Sequence, residues 1–147
     1  MSHYISFKDK GQWINNMLFR SLLEFSIETG ELQASIEERT YLELMKKRVT
    51  DGFFWPGRDV DLEQDFPTIP ERKFWSRVFF EIARAIFERK IGVHAQTYWQ
   101  AQRIYLAYGL GNLFQESVRE IEPTWHAETL DNREFDRVVN GRETRDA

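Results

Sequence analysis

"DKGQWINNMLFRSLLEF", residues 9–25, is the stretch on which the fold class turns. Trp13, Ile14, Met17, Leu18, Ser21, Leu22 and Phe25 recur at three- and four-residue intervals, the spacing that stacks side chains on one face of a helix. In this reading Asp9 is the N-cap and Gly30 the stop just past the pattern. The eight residues before it are a lead-in. Tyr4, Ile5 and Phe7 alternate there as an extended chain would, but no second stretch reads as a strand to pair with them. The expectation is a helix from the ninth residue and an all-α fold.

Further along, "SIEE" at residues 35–38 is a capping box, with Glu38 three residues after Ser35. The helix it opens carries Leu42, Leu44, Met45 and Val49, gathers Lys46, Lys47 and Arg48 in its last turn, and leaves at Gly52. Pro70 suits the first position of a third helix, "ERKFWSRVFFEIARAIFERK", residues 71–90. Arg77, Glu81, Arg84 and Glu88 make one polar stripe on it. The rest, from Phe74 to Phe87, is almost wholly apolar, so neighbours must wrap it.

A fourth helix begins near His94 and runs through Tyr98, Ile104, Tyr105 and Tyr108. "GLGN", residues 109–112, marks a kink, a close helix packing, or the start of a short fifth helix ending before Pro123. Asp131 caps a last short helix closed by Gly141. The expected architecture is an all-α compact bundle of four to six helices over residues 1–141, with one long loop at about 51–70. Residues 142–147 have nothing to bury and read as a disordered tail.

Composition narrows the function. The chain is 41% apolar and 15% aromatic, enough for a core, and its lack of cysteine excludes thiol catalysis, zinc knuckles and disulfide frameworks. No apolar leader or membrane-length run is present, which points to a cytoplasmic protein without a membrane partner. The net charge of −4 argues against nucleic acid as a partner. Its distribution says more. "DGFFWPGRDVDLEQDF", residues 51–66, holds five acids and one base, and the remaining chain has nineteen of each.

Tests for chemistry come out negative. "DVDLEQD" has calcium-loop spacing from Asp59 through Asp61 and Glu63, but Gln64 stands where the turn glycine belongs and Pro70 where the closing glutamate belongs. Glu116, Glu120, His126 and Glu128 resemble a ligand group, yet a deaminase would need cysteines and a di-iron bundle Glu-x-x-His pairs. "GLGN" lacks the strand and lysine of a phosphate loop. No catalytic residue, metal or cofactor is expected.

The acidic stretch remains. If residues 59–66 are extended, Asp59, Asp61, Glu63 and Asp65 face one way at about 6.6 Å intervals, and Val60, Leu62, Gln64 and Phe66 the other. Such a row would attract a basic partner. A second reading has Asp59 or Asp61 capping a short helical turn. Phe53, Phe54 and Trp55 are either core plugs or the aromatic anchor of an interface.

In size, acidity, helical character and want of a catalytic constellation, the chain resembles bacterial toxin-immunity proteins. That resemblance implies a non-enzymatic role: binding and neutralising a cognate toxin, often by an acidic surface over a basic cleft. Phe53, Phe54 and Trp55 would then anchor, and Asp59, Asp61, Glu63 and Asp65 would steer. Two other classes stay open. One is a small helical enzyme or ligand-binding bundle, with a pocket between the third and fourth helices lined by His94, Tyr98, Tyr105 and Tyr108. The other is a helical adaptor or oligomerisation domain.

Overall fold

Ser2–Phe7 (β1) and Lys10–Asn15 (β2) form an antiparallel hairpin, in register from Ser2↔Asn15 to Phe7↔Lys10. The structure is a computed structural model that describes residues 2–52, 59–88, 97–127 and 133, with backbone alone for Ser2 and residues 97–99. Val60–Asp61 (β3) lies parallel to β1 through Ile5↔Val60 and Ser6↔Asp61, giving a mixed sheet of order β2-β1-β3. The all-α expectation is therefore corrected. Among the described residues the fold is mixed α/β, five helices with a three-stranded sheet.

The reason lies in two overlapping patterns. Ile14 is the inward residue of a strand and Leu18 and Leu22 are inward residues of a helix, and their junction mimics one helical stripe. Trp13 and Met17, which that stripe would bury, are 66% and 81% exposed. In β1 the true period is two: His3, Ile5 and Phe7 are buried between half-buried Tyr4 and Ser6. The hairpin carries no turn signal in its sequence, because its two-residue loop holds Lys8 at φ 55°, a conformation that favours glycine or asparagine.

Helix α1 (Asn16–Gln33) consequently starts late. Its N-cap is Asn15, whose side chain accepts the Met17 N–H at 2.9 Å, and Asp9 sits in the hairpin loop. Gly30 is not a stop. It lies within α1, where a Cβ would stand 2.5 Å from Leu42 Cδ2, so its absent side chain lets α2 (Arg39–Thr50) come close. The reciprocal capping-box bonds form, the Ser35 N–H donating to Glu38 Oε1 at 3.1 Å and the Glu38 N–H to Ser35 Oγ at 3.2 Å, but they close a turn before the helix: α2 begins at Arg39, and its N-cap Glu38 makes no side-chain cap bond. The chain leaves α2 at Gly52, with φ 76°.

After β3 come the single turn α3 (Leu62–Asp65), then α4 (Ile69–Phe87) and α5 (Thr97–Arg119). Thr68 caps α4 by accepting the Glu71 N–H at 3.4 Å, with Pro70 in the first turn. Phe74, Trp75, Val78, Phe79, Phe80 and Ile82 are buried, while Arg77 and Glu88 of the polar stripe are exposed. Helix α4 thus runs through the middle, against α5 on one side and α1 on another, and α5 also supports β2.

"GLGN" causes no break in α5. Gly111 faces Phe80, where a Cβ would stand 2.8 Å from the ring, and Ser76 Oγ donates to the Gly111 carbonyl at 2.9 Å. The close-packing reading of these glycines holds. Gly111→Ala sets a helix-propensity gain of about 1 kcal/mol against overpacking that typically costs about 1–3 kcal/mol. Because three Phe80 ring atoms obstruct the methyl, the expected result is net destabilisation, by up to about 2 kcal/mol. Urea titration of the two proteins measures it, and a stabilised variant would contradict the packing described.

Candidate functional site

The acidic segment does not run extended. Val60 and Asp61 pair with β1, and the chain then turns into α3. Asp61 caps that turn: its Oδ1 accepts the N–H of Glu63 at 2.8 Å and of Gln64 at 3.4 Å. Asp65 Oδ2 accepts the Asp61 N–H at 2.9 Å. Two of the four acids therefore serve their own backbone. The expected row of Asp59, Asp61, Glu63 and Asp65 is corrected to two exposed carboxylates, Asp59 and Glu63, without an ion pair among the described residues. Backbone N–H groups at a helix start compete for acids more locally than a distant partner can.

The apolar half of the alternation survives in altered form. Val60, Leu62 and Phe66 are 2% exposed or less, but Gln64 points to solvent. Phe66 meets Phe114 of α5 edge-on, with ring centroids 5.1 Å apart. Phe53, Phe54 and Trp55 lie outside the described residues.

Beneath the segment sits a buried ion pair that the sequence reading missed. Arg48 Nη1 donates to Glu71 Oε2 at 2.7 Å, and Nη2 donates to Glu71 Oε1 at 3.0 Å and to the Asp65 carbonyl at 3.0 Å. Trp75 Nε1 adds a third donor to Glu71 at 3.0 Å. The Arg48 guanidinium lies 4.2 Å from the Phe66 ring centre. Arg72 Nε donates to the Phe66 carbonyl at 2.6 Å. Burial pushes the Arg72 guanidinium below its ordinary pKa, opposed by the charges of Glu63 and Asp61. Two arginines thus hold the carbonyls of Asp65 and Phe66. A signal was available: Glu71 and Arg72 lie off the polar stripe of Arg77, Glu81, Arg84 and Glu88, and Trp75 follows Glu71 by one helical turn.

Of the other candidates, the described ones lie apart from one another. Tyr105 is half exposed, and Tyr108 packs edge-on against Phe80 with centroids 5.4 Å apart. His94 and the Tyr98 side chain lie outside the described residues, as does Glu128. Glu116 and Glu120 bind the hairpin tip, with Lys10 at 2.7 Å and Lys8 at 3.2 Å, beside an open cleft of about 360 Å³. His126 is exposed. Among the described residues no group of three or more His, Asp or Glu side chains is placed to hold a metal, and no helix is long and apolar enough to cross a membrane.

A second cleft, of about 250 Å³, lies between Tyr41, Lys73, Arg77 and Trp125. Both of its cations are paired internally, Lys73 with Glu122 at 2.8 Å and Arg77 with Glu38. Burial, aided by the charge of Glu71, raises the Tyr41 hydroxyl above its ordinary pKa, so it stays a neutral phenol.

No family model, curated protein or solved structure matches this chain.

Arg48→Ala strands the Glu71 carboxylate in the core, where losing one partner of a buried pair costs about 3–5 kcal/mol. Arg48→Met combined with Glu71→Leu removes both charges, and its unfolding midpoint in urea is expected above that of Arg48→Ala. At the hairpin, the hydrogen bond to Glu116 and then its charge raise the Lys10 pKa above 10.5. A raised pKa means the folded state binds the proton more tightly, so this contribution is complete below pH 10.5 and fades as pH rises through the folded value. The Tm difference between wild type and Glu116→Gln should accordingly shrink at alkaline pH.

Proposed function

We propose that this chain is a non-enzymatic, cytoplasmic binding protein that neutralises a toxin-like effector by docking residues 51–66 on a basic surface of it. One observation carries the reading. Asp59 and Glu63 present exposed carboxylates, without an ion pair among the described residues, from a segment that is locked on its inner side, by Val60, Leu62 and Phe66 in the core and by Arg48 and Arg72 on its carbonyls. A rigid framework spares the entropy that a mobile loop loses on binding. Two fixed carboxylates in the stretch that carries the chain's whole charge excess would steer a basic partner into place. In this proposal Phe53, Phe54 and Trp55, earlier in the same stretch, supply the aromatic anchor.

The test starts from an effector captured on the wild-type protein from the native organism, identified and purified. Its association rate with wild type should fall with added salt. Asp59→Lys combined with Glu63→Lys should lower that rate at low salt by about tenfold or more, with an unchanged circular dichroism spectrum. An equal rate for the variant would remove the acidic segment from the interface.

A further inference from the structure

In a two-residue hairpin the pair flanking the loop exchanges its backbone hydrogen bonds, and bonded and non-bonded pairs then alternate along the ladder. Counting from Phe7↔Lys10, Lys10, Gln12 and Ile14 turn their N–H and C=O groups toward β1, while Gly11 and Trp13 turn theirs away. Tyr4↔Trp13 is then a non-bonded pair, the kind whose side chains stand closer, and the two ring centroids are 4.8 Å apart.

Strand β2 is the outermost of the sheet. No backbone hydrogen bond reaches Gly11 or Trp13 from the open side among the described residues. Gly11 is exposed, and since glycine is all backbone, its exposed surface is the bare edge itself. Sheet edges in native proteins are normally blunted by charge, proline, a bulge or a covering element. The one charge on the strand, Lys10, is held by Glu116 of α5, and Gln12 reaches the Leu106 carbonyl of the same helix on one face of the sheet; residues 11–15, Gly-Gln-Trp-Ile-Asn, contain no charge and no proline, and the ladder with β1 runs without a bulge.

We propose that β2 pairs antiparallel with β2 of a second copy of this chain, in the register centred on Gln12, fusing two three-stranded sheets into one. That register sets Gly11 of each copy opposite Trp13 of the other, so the outward N–H and C=O groups of those two residues are satisfied in each strand. Its side chains agree with it. Tyr4 leans over Gly11 so closely that a Cβ there would stand 2.2 Å from its ring. Each incoming indole therefore comes up beside the Tyr4 ring that covers Gly11, with no side chain of Gly11 in the way. Asp9 falls opposite Asn15 and Lys10 opposite Ile14, so no like charges oppose one another even though each copy carries −4. The contact is small, which implies a weak dimer with a Kd in the micromolar range, about 1–100 µM. It uses a different surface from residues 51–66 and does not rest on the effector-binding reading.

Sedimentation of the full chain up to about 100 µM should show a monomer–dimer equilibrium. Trp13→Lys, at a side chain already 66% exposed, should weaken it at least about tenfold. Leu32→Lys, at an exposed site near the far end of α1, should leave it unchanged. Because the chain has no cysteine, Gln12→Cys offers a register-specific reporter: at the two-fold axis its Cα atoms would lie about 4.5 Å apart, within disulfide reach. Mild oxidation should cross-link Gln12→Cys at least about tenfold faster than Leu32→Cys. A monomer at all concentrations, a dimer indifferent to Trp13→Lys, or faster cross-linking at Leu32→Cys would each overturn the proposal.

Discussion

The pair of Arg48 with Glu71 is the constraint around which the described structure is arranged. It joins the end of α2 to the start of α4, and through the Asp65 carbonyl it also holds the segment between them. A buried ion pair gains little net stability, because desolvation offsets most of the attraction. This one is tolerated because its groups are satisfied: two guanidinium donors and an indole N–H reach Glu71, and the Phe66 ring lies against the cation. Its effect is positional. Separating α2 from α4 would leave Glu71 buried without its cation, and displacing α3 would cost Arg48 its bond to the Asp65 carbonyl.

From that clamp the acidic segment follows. With the Asp65 and Phe66 carbonyls held by Arg48 and Arg72, Phe66 is set against Phe114 and Leu62 lies inside the core. Val60 then reaches β1 as a short parallel strand, so the segment ties the hairpin to the helices. Asp61 and Asp65 are drawn into that local geometry, and Asp59 and Glu63 are left facing water. The same residues that fix the backbone decide which carboxylates remain for a partner.

Much of the helical framework was legible in the sequence, for reasons that are local. The capping box at Ser35 and Glu38, the exit at Gly52, the start at Pro70 and the apolar circumference of α4 all appear where the pattern put them. Each depends on neighbours within one or two turns. The N-terminal strands were not legible. Ile14 belongs equally to a strand of period two and a helix of period 3.6, and a lysine at positive φ gives no turn signal. The partner strand β3 is two residues long, its residues 55 positions from their partners in β1, and too short to carry a pattern of its own.

The sequence by itself determined where the charge excess lies, that Ser35 and Glu38 exchange capping bonds, and that α4 must be wrapped by others. These depend on composition and on side chains within one turn of each other, so they hold in any fold the chain adopts. Tertiary structure alone decided that residues 2–15 pair as strands and that Gly30, Gly109 and Gly111 mark close approaches rather than breaks. It decided between the two readings of the acidic stretch, with Asp61 capping α3 and Asp65 bound to the Asp61 N–H while Asp59 and Glu63 stay exposed. Strand pairing, close packing and the burial of Arg48 with Glu71 join residues far apart in the chain, and a linear pattern has no record of which distant group will arrive.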